Sequence, residues 1–146
     1  MNEDMIAKWN EVVKPQDVVY HLGDFAYGHW KSDDQNLLPG LFSRLNGQKF
    51  LIRGNHDKQD TLKLPWVMLF EQKLLKIGKN TIHCSHYPII DWDQSRNGGY
   101  HFHGHTHVEN PLSSMPKEWH WRDKWRNLCV EQIGYRPREL SELIPG

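Results

Sequence analysis

Lys49-Phe50-Leu51-Ile52-Arg53-Gly54-Asn55-His56-Asp57 is an apolar strand that stops abruptly in a polar cluster opening on glycine. The same shape recurs along the chain. Asp17-Val18-Val19-Tyr20-His21-Leu22 runs into Gly23-Asp24, residues 80–84 run into Ser85-His86, and residues 99–103 run into Gly104-His105-Thr106-His107. Open sheets gather ligands beyond the carboxyl ends of their strands. Four such ends in one sheet would bring these side chains to a common point. Glycine at the head of a cluster allows close approach of the backbone to whatever is bound there.

Helices fill the space between the strands. Met5, Ile6, Trp9, Val12 and Val13 share one face at helical spacing, which predicts a helix over residues 2–13, ended before Pro15. Residues 34–45 carry Leu37, Leu38, Leu41, Phe42 and Leu45, so a second helix is expected, with Pro39 in its first turn and Gly47 as its stop. Residues 67–77 and 80–84 read as two strands joined at Gly78-Lys79. A last strand is expected over residues 128–133, ahead of Arg136-Pro137. Helix and strand alternate early and strands dominate later, which points to an α/β fold with helices covering the faces of the sheet.

Bulk properties narrow the function. The chain has 146 residues, which suits a single domain over residues 1–146. Eighteen basic residues balance eighteen acidic ones, so this is no polycation built to bind nucleic acid at large. A nucleotide-like substrate remains compatible, because a bound metal supplies positive charge locally. Cys84 and Cys129 lack CxxC spacing and read as buried thiols in a reducing compartment. No apolar run is long enough to span a membrane, and Met1-Asn2-Glu3-Asp4 has no signal-peptide character. A cytoplasmic protein is expected.

The ten histidines are many for this length, and they cluster at the strand ends. Imidazole, carboxylate and amide oxygen together suit Zn, Mn, Fe or Ni, with no thiolate evident. One aspartate can bridge two ions, and this is the inventory of a two-metal hydrolytic site, with ions about 3.5–4 Å apart.

In their order and context, GDFAYG at 23–28, GNHD at 54–57, SHYP at 85–88 and GHTH at 104–107 resemble four signature blocks of the calcineurin-like metallophosphoesterases. Residues 127–143 resemble the closing segment of small bacterial and phage members. The resemblance implies mixed β-sheets packed with flanking helices and a metal-dependent phosphoester hydrolase, more a phosphodiesterase than a monoesterase. It implies that Asp24 bridges two metals, that Asn55, His86 and His105 complete one site, and that His107 joins the other. It implies that His56 protonates the leaving oxygen and that Asp57 fixes the His56 ring. Water activated by the metal would be the nucleophile.

The family's first block, Asp-x-His on an opening strand, has no counterpart in this sequence. The resemblance therefore predicts a chain N-terminally short of the family pattern, missing the usual first strand. One tight metal site and a weaker second would result, with an uncovered sheet edge open to homo-oligomerisation. Two other readings compete: a degenerate metal-binding protein of the same fold that turns nothing over, and a cupin-type site at His103, His105 and Glu109. The histidines at 21, 29, 83, 101 and 103 are expected to be structural. The segment Trp119–Arg126 is expected to be a loop with its indoles packed on the fold, and Trp92 and Tyr100 are candidates for a pocket rim.

Overall fold

The protein was analysed as a computed structural model, which describes residues 2–25, 37–105, 124–128 and 136–144. Helix α1 (Asn2–Val12) places Met5, Ile6 and Trp9 on its buried face, with Glu3 and Asp4 in the first turn, where they favour the helix dipole. Strand β1 (Val18–His21) follows, then α2 (Leu37–Arg44) and β2 (Gln48–Ile52). Pro39 lies in the first described turn of α2. Gly47 has φ +108°, and a Cβ there would meet Val13 Cγ1 at 2.9 Å, so the turn from α2 into β2 requires glycine. The two helices are tied by Trp9 Nε1 donating to Asn46 O (2.9 Å) and by Asn46 N–H donating to Asn10 Oδ1 (2.9 Å).

The further helices and strands among the described residues are α3 (Gln59–Leu62), β3 (Met68–Phe70), β4 (Gln72–Ile77), β5 (Asn80–Ser85), β6 (Tyr100–His103), β7 (Trp125–Asn127) and α4 (Leu140–Leu143). Strands β1, β2 and β3 form one parallel sheet in that order. Strands β4, β5, β6 and β7 form a second, in which β4 and β5 are an antiparallel hairpin and β5, β6 and β7 run parallel. The chain is thus α/β, with one parallel sheet, one mixed sheet and flanking helices. One core cluster, including Met5, Trp9, Phe42, Leu45 and Leu51, lies between the first sheet and the helices. A second, including Leu22, Ile52, Ile82, Tyr100 and Phe102, lies between the sheets. Leu51, Ile52 and Ile82 are fully buried, each worth about 1.5–3 kcal/mol relative to exposure.

Two sequence expectations change. Residues 67–77 are not one strand: the run breaks at exposed Glu71, where the chain passes from β3 in the first sheet to β4 in the second. Each half pairs with a different partner, β3 with β2 and β4 with β5, and local alternation carries no mark of that switch. The four motif-bearing strands accordingly lie in two sheets, not one. β1 and β2 are parallel neighbours in the first and β5 and β6 in the second. Strand β7 lies just upstream of the strand expected over residues 128–133. Leu128 N–H donates to His103 O (2.8 Å), extending the β6 pairing, while residues 129–133 lie outside the described residues. Among the described residues β1 pairs with β2 alone, and no helix is long and apolar enough to cross a membrane.

Candidate metal centre

The site lies where the two sheets present their strand ends to each other. From the first sheet come Asp24, after β1, and Asn55, after β2. From the second come His86, directly after β5, and His105, after β6. His86 is the hub and is 2 % exposed. Its Nε2 lies 2.9 Å from Asn55 Oδ1, 3.1 Å from His105 Nδ1 and 3.3 Å from Asp24 Oδ2. Ligand atoms of Asp24, His86 and His105 all fall within 4.8 Å of one another.

The tautomer of His86 decides what this cluster can hold. His86 Nδ1 is 2.8 Å from Leu22 O. A carbonyl only accepts, so Nδ1–H donates there and the neutral ring leaves Nε2 bare. Bare Nε2 then faces an amide oxygen, a carboxylate oxygen and a second imidazole nitrogen. A proton on Nε2 would serve one of these acceptors and leave the others opposed. A cation serves all of them, and an imidazole whose other nitrogen donates to a backbone carbonyl is the usual orientation of a metal-binding histidine. The donor set fits a divalent transition metal.

Backbone geometry is bent to make this convergence. Asp24 and His105 sit at φ 57° and 63°, and only Gln94 joins them among described non-glycine residues. Such conformations cost on the order of 1–3 kcal/mol each and persist where the surroundings enforce them. Asp57 is the enforcer for Asp24. Its carboxylate is 1 % exposed. Oδ2 accepts from Asp24 N–H (2.8 Å) and Gly54 N–H (2.7 Å), and Oδ1 accepts from Phe25 N–H (2.8 Å). One buried charge thus ties the loop after β1 to the loop after β2 by charge-assisted bonds. A Cβ on Gly54 would press on Asp24 Oδ1 and lie 2.9 Å from His86 Cε1, so glycine is needed for close approach. Gly104 N–H donates to His86 O (3.0 Å), fixing the two ends of the second sheet to each other.

His56 is exposed, and its backbone N–H donates to Asp24 Oδ1 (2.8 Å). That leaves Asp24 Oδ2 toward His86 and one lone pair of Oδ1 uncommitted. His107 lies outside the described residues, as do His29, Glu109, Trp119, Trp121 and Cys129. Half-buried His21 accepts Gly23 N–H on Nδ1 (3.1 Å); loss of water holds its pKa below the ordinary value, opposed by the Asp57 and Asp24 carboxylates.

Trp92 and Tyr100 are 4 % and 3 % exposed; Trp92 lines a cavity with Gln72, His83 and Asp91, which includes none of the four residues gathered at His86. Trp125 is buried too, at 6 %, in keeping with packing on the fold. Sequence reasoning missed three contributors: the Leu22 carbonyl, the backbone role of Asp57, and Tyr87. The Tyr87 ring is 4.6 Å from the His105 ring and 5.0 Å from the His86 ring. Its place inside SHYP, next to His86, was the available signal.

Residues 2–127 match the calcineurin-like phosphoesterase family. The chain belongs to that family. It is 33% identical to an uncharacterized protein of Methanocaldococcus jannaschii over 99% of this chain and 73% of the relative. It is 28% identical to the Gene 66 protein of Mycobacterium phage D29, over 92% of this chain and 81% of that protein. The crystal structure of a protein of unknown function from Aquifex aeolicus superposes with a TM-score of 0.71 at 28% identity, covering 98% of this chain and 84% of that one. Calcineurin-like membership and the two-sheet architecture together exclude the cupin reading. They also explain why His103, one of its supposed ligands, is fully buried within β6 with Nδ1 donating to Gly104 O (2.8 Å).

Proposed function

We propose that this protein hydrolyses phosphoester bonds, phosphodiesters in preference to monoesters, with a divalent metal held by Asp24, Asn55, His86 and His105. The observation that carries the reading is the convergence of three ligand atoms on the bare Nε2 of His86. His107, two residues beyond His105, is assigned to a second, weaker position shared with Asp24. When bound, Mn, Zn, Fe or Ni supplies Lewis acidity, polarising phosphoryl oxygens and making water nucleophilic near neutral pH.

The protein's own groups do the rest. Asp24 and Asn55 come from one sheet and His86 and His105 from the other, so the scissile phosphate is gripped across the sheet junction. His56 acts as general acid for the leaving oxygen. Its backbone N–H donates to Asp24 Oδ1 and the residue is exposed, which supports a role beside the metal ligands rather than as one of them. Such proton transfer contributes roughly 10²–10⁴-fold. Asp57 holds the two loops in register and is also proposed to steady the His56 ring.

Incubation with Mn²⁺ and bis(p-nitrophenyl) phosphate tests the assignment. Turnover is expected, falling about 100-fold or more in His56→Ala while bound metal per chain is unchanged. Metal uptake with no turnover of any phosphoester would instead identify a binding protein of the same fold.

A further inference from the structure

Tyr87 is placed in a way that the metal centre alone does not require. Its ring leans against both imidazoles of the cluster, tilted 55° to His105 and edge-on, at 78°, to His86. Yet the residue is 48 % exposed. Single exposed apolar residues are ordinary on protein surfaces. This one is held out deliberately. On its near side Ser85 Oγ–H donates to Tyr87 O (2.6 Å). On its far side, past Pro88, both backbone groups of Ile89 are clamped: Ile89 N–H donates to His101 Nε2 (3.0 Å), and Trp125 Nε1–H donates to Ile89 O (3.1 Å). Ile90, three residues on from Tyr87, is 54 % exposed as well. A segment fixed at both ends thus presents an aromatic surface to water beside the atoms that gather around His86.

We infer that Tyr87 is a stacking platform for a planar aromatic group of the substrate, so that the substrates are phosphoesters bearing a nucleobase. This rests on the phosphoesterase reading above. A phosphate anchored at Asp24, Asn55, His86 and His105 leaves its organic substituent to fall on whatever borders the cluster, and Tyr87 borders two of the four. Base-on-aromatic stacking needs a π-face and little else, so it accepts any base. The uncharged Tyr87 ring also suits a base better than a second phosphate.

The test is calorimetric, at saturating Mn²⁺, in a His56→Ala background that suppresses turnover. Adenosine 5′-monophosphate and ribose 5-phosphate carry the same phosphate and differ by the base. The nucleotide is expected to bind about 10-fold more tightly, within the roughly 5–150-fold that stacking one base provides. Tyr87→Phe keeps this ratio, and Tyr87→Ala brings it close to one, with Mn²⁺ affinity followed alongside. A ratio below about two in the presence of Tyr87, or a ratio that survives Tyr87→Ala, overturns the platform while leaving the phosphoesterase reading intact. Failure of both phosphates to bind the metal-loaded protein overturns both.

Discussion

His86 and His105 stand at the carboxyl ends of β5 and β6, while His83, His101 and His103 lie within the same two strands. Both groups contain buried rings, and both keep nitrogen atoms close together. Within the strands the ring nitrogens of His83 and His101 all find partners, while His103 donates from Nδ1 to Gly104 O and keeps a buried, unpartnered Nε2. Ile89 N–H donates to His101 Nε2, so His101 Nδ1 carries the proton and donates to His83 O (3.0 Å), beside His83 Nδ1 (3.1 Å). His83 Nε2–H in turn donates to Gln72 Oε1 (2.6 Å). Trp92 and His103 both stack on His101, at 5.3 and 5.7 Å. At the strand ends the pattern inverts, and acceptor faces acceptor around His86 Nε2. Matched donors make histidine a building block; unmatched acceptors make it a ligand. The number of histidines distinguishes nothing, and the partner of the second ring nitrogen decides.

The largest test of that contrast removes one ring from each set. His86→Ala deletes the atom on which the others converge, so metal affinity is expected to fall by more than the roughly 10–100-fold that losing an outer partner costs. His83→Ala is expected to lower stability while metal affinity, read by competition with a chromogenic chelator, stays within about threefold. Equal metal loss in the two variants would break the division.

Smaller changes act on the frame around His86. Asp57→Asn keeps shape but removes the charge that receives three backbone N–H groups, so metal affinity is expected to drop about 10–100-fold. Gly54→Ala inserts a methyl group against Asp24 and His86. It is expected to cost about 1–3 kcal/mol by overpacking and to weaken metal binding about tenfold. Denaturant titration and metal competition on the same samples separate the two effects. A Gly54→Ala protein with unaltered metal affinity would show that the close approach does not set the ligand positions.

Much of this was legible beforehand because strand-end clusters announce themselves: an apolar run, then glycine (serine before His86), then Asp, Asn or His. That pattern located Asp24, Asn55, His86 and His105 before any coordinates did. What stayed hidden depended on long-range partners. The switch of sheets at Glu71 leaves no local trace, since β3 and β4 are both acceptable strands. The carbonyl of Leu22, which sets the His86 tautomer from 64 residues away, is backbone and therefore silent in a sequence. Asp57 was found, but as a partner for His56, because a side chain next to a histidine suggests that histidine. Its three backbone donors come from a loop 32 and 33 residues earlier and from Gly54, three residues earlier.

The smallest expected effect is on stability against pH, and the inner histidines carry it together with His21. His101 is fully buried, and burial first, then the neighbouring His103 and His83, push its pKa down to about 3. His83 and His103 are lowered in the same direction, again chiefly by burial. In the unfolded chain a histidine takes up its proton near pH 6.5. Below that value the unfolded state binds more protons than the folded one, so stability falls with acidification from about 6.5 toward 3, and is fully present above. For His101 alone the loss between pH 7.5 and 5.5 is about 1.4 kcal/mol. Urea unfolding in the absence of metal, at both pH values, measures the slope, and His101→Phe is expected to flatten it by that amount whatever it does to absolute stability. An unchanged slope in His101→Phe would mean that His101 is protonated inside the fold. Its Nε2 could then no longer accept from Ile89, and the hydrogen-bond chain that sets the inner histidines apart from the proposed metal ligands would be wrong at its centre.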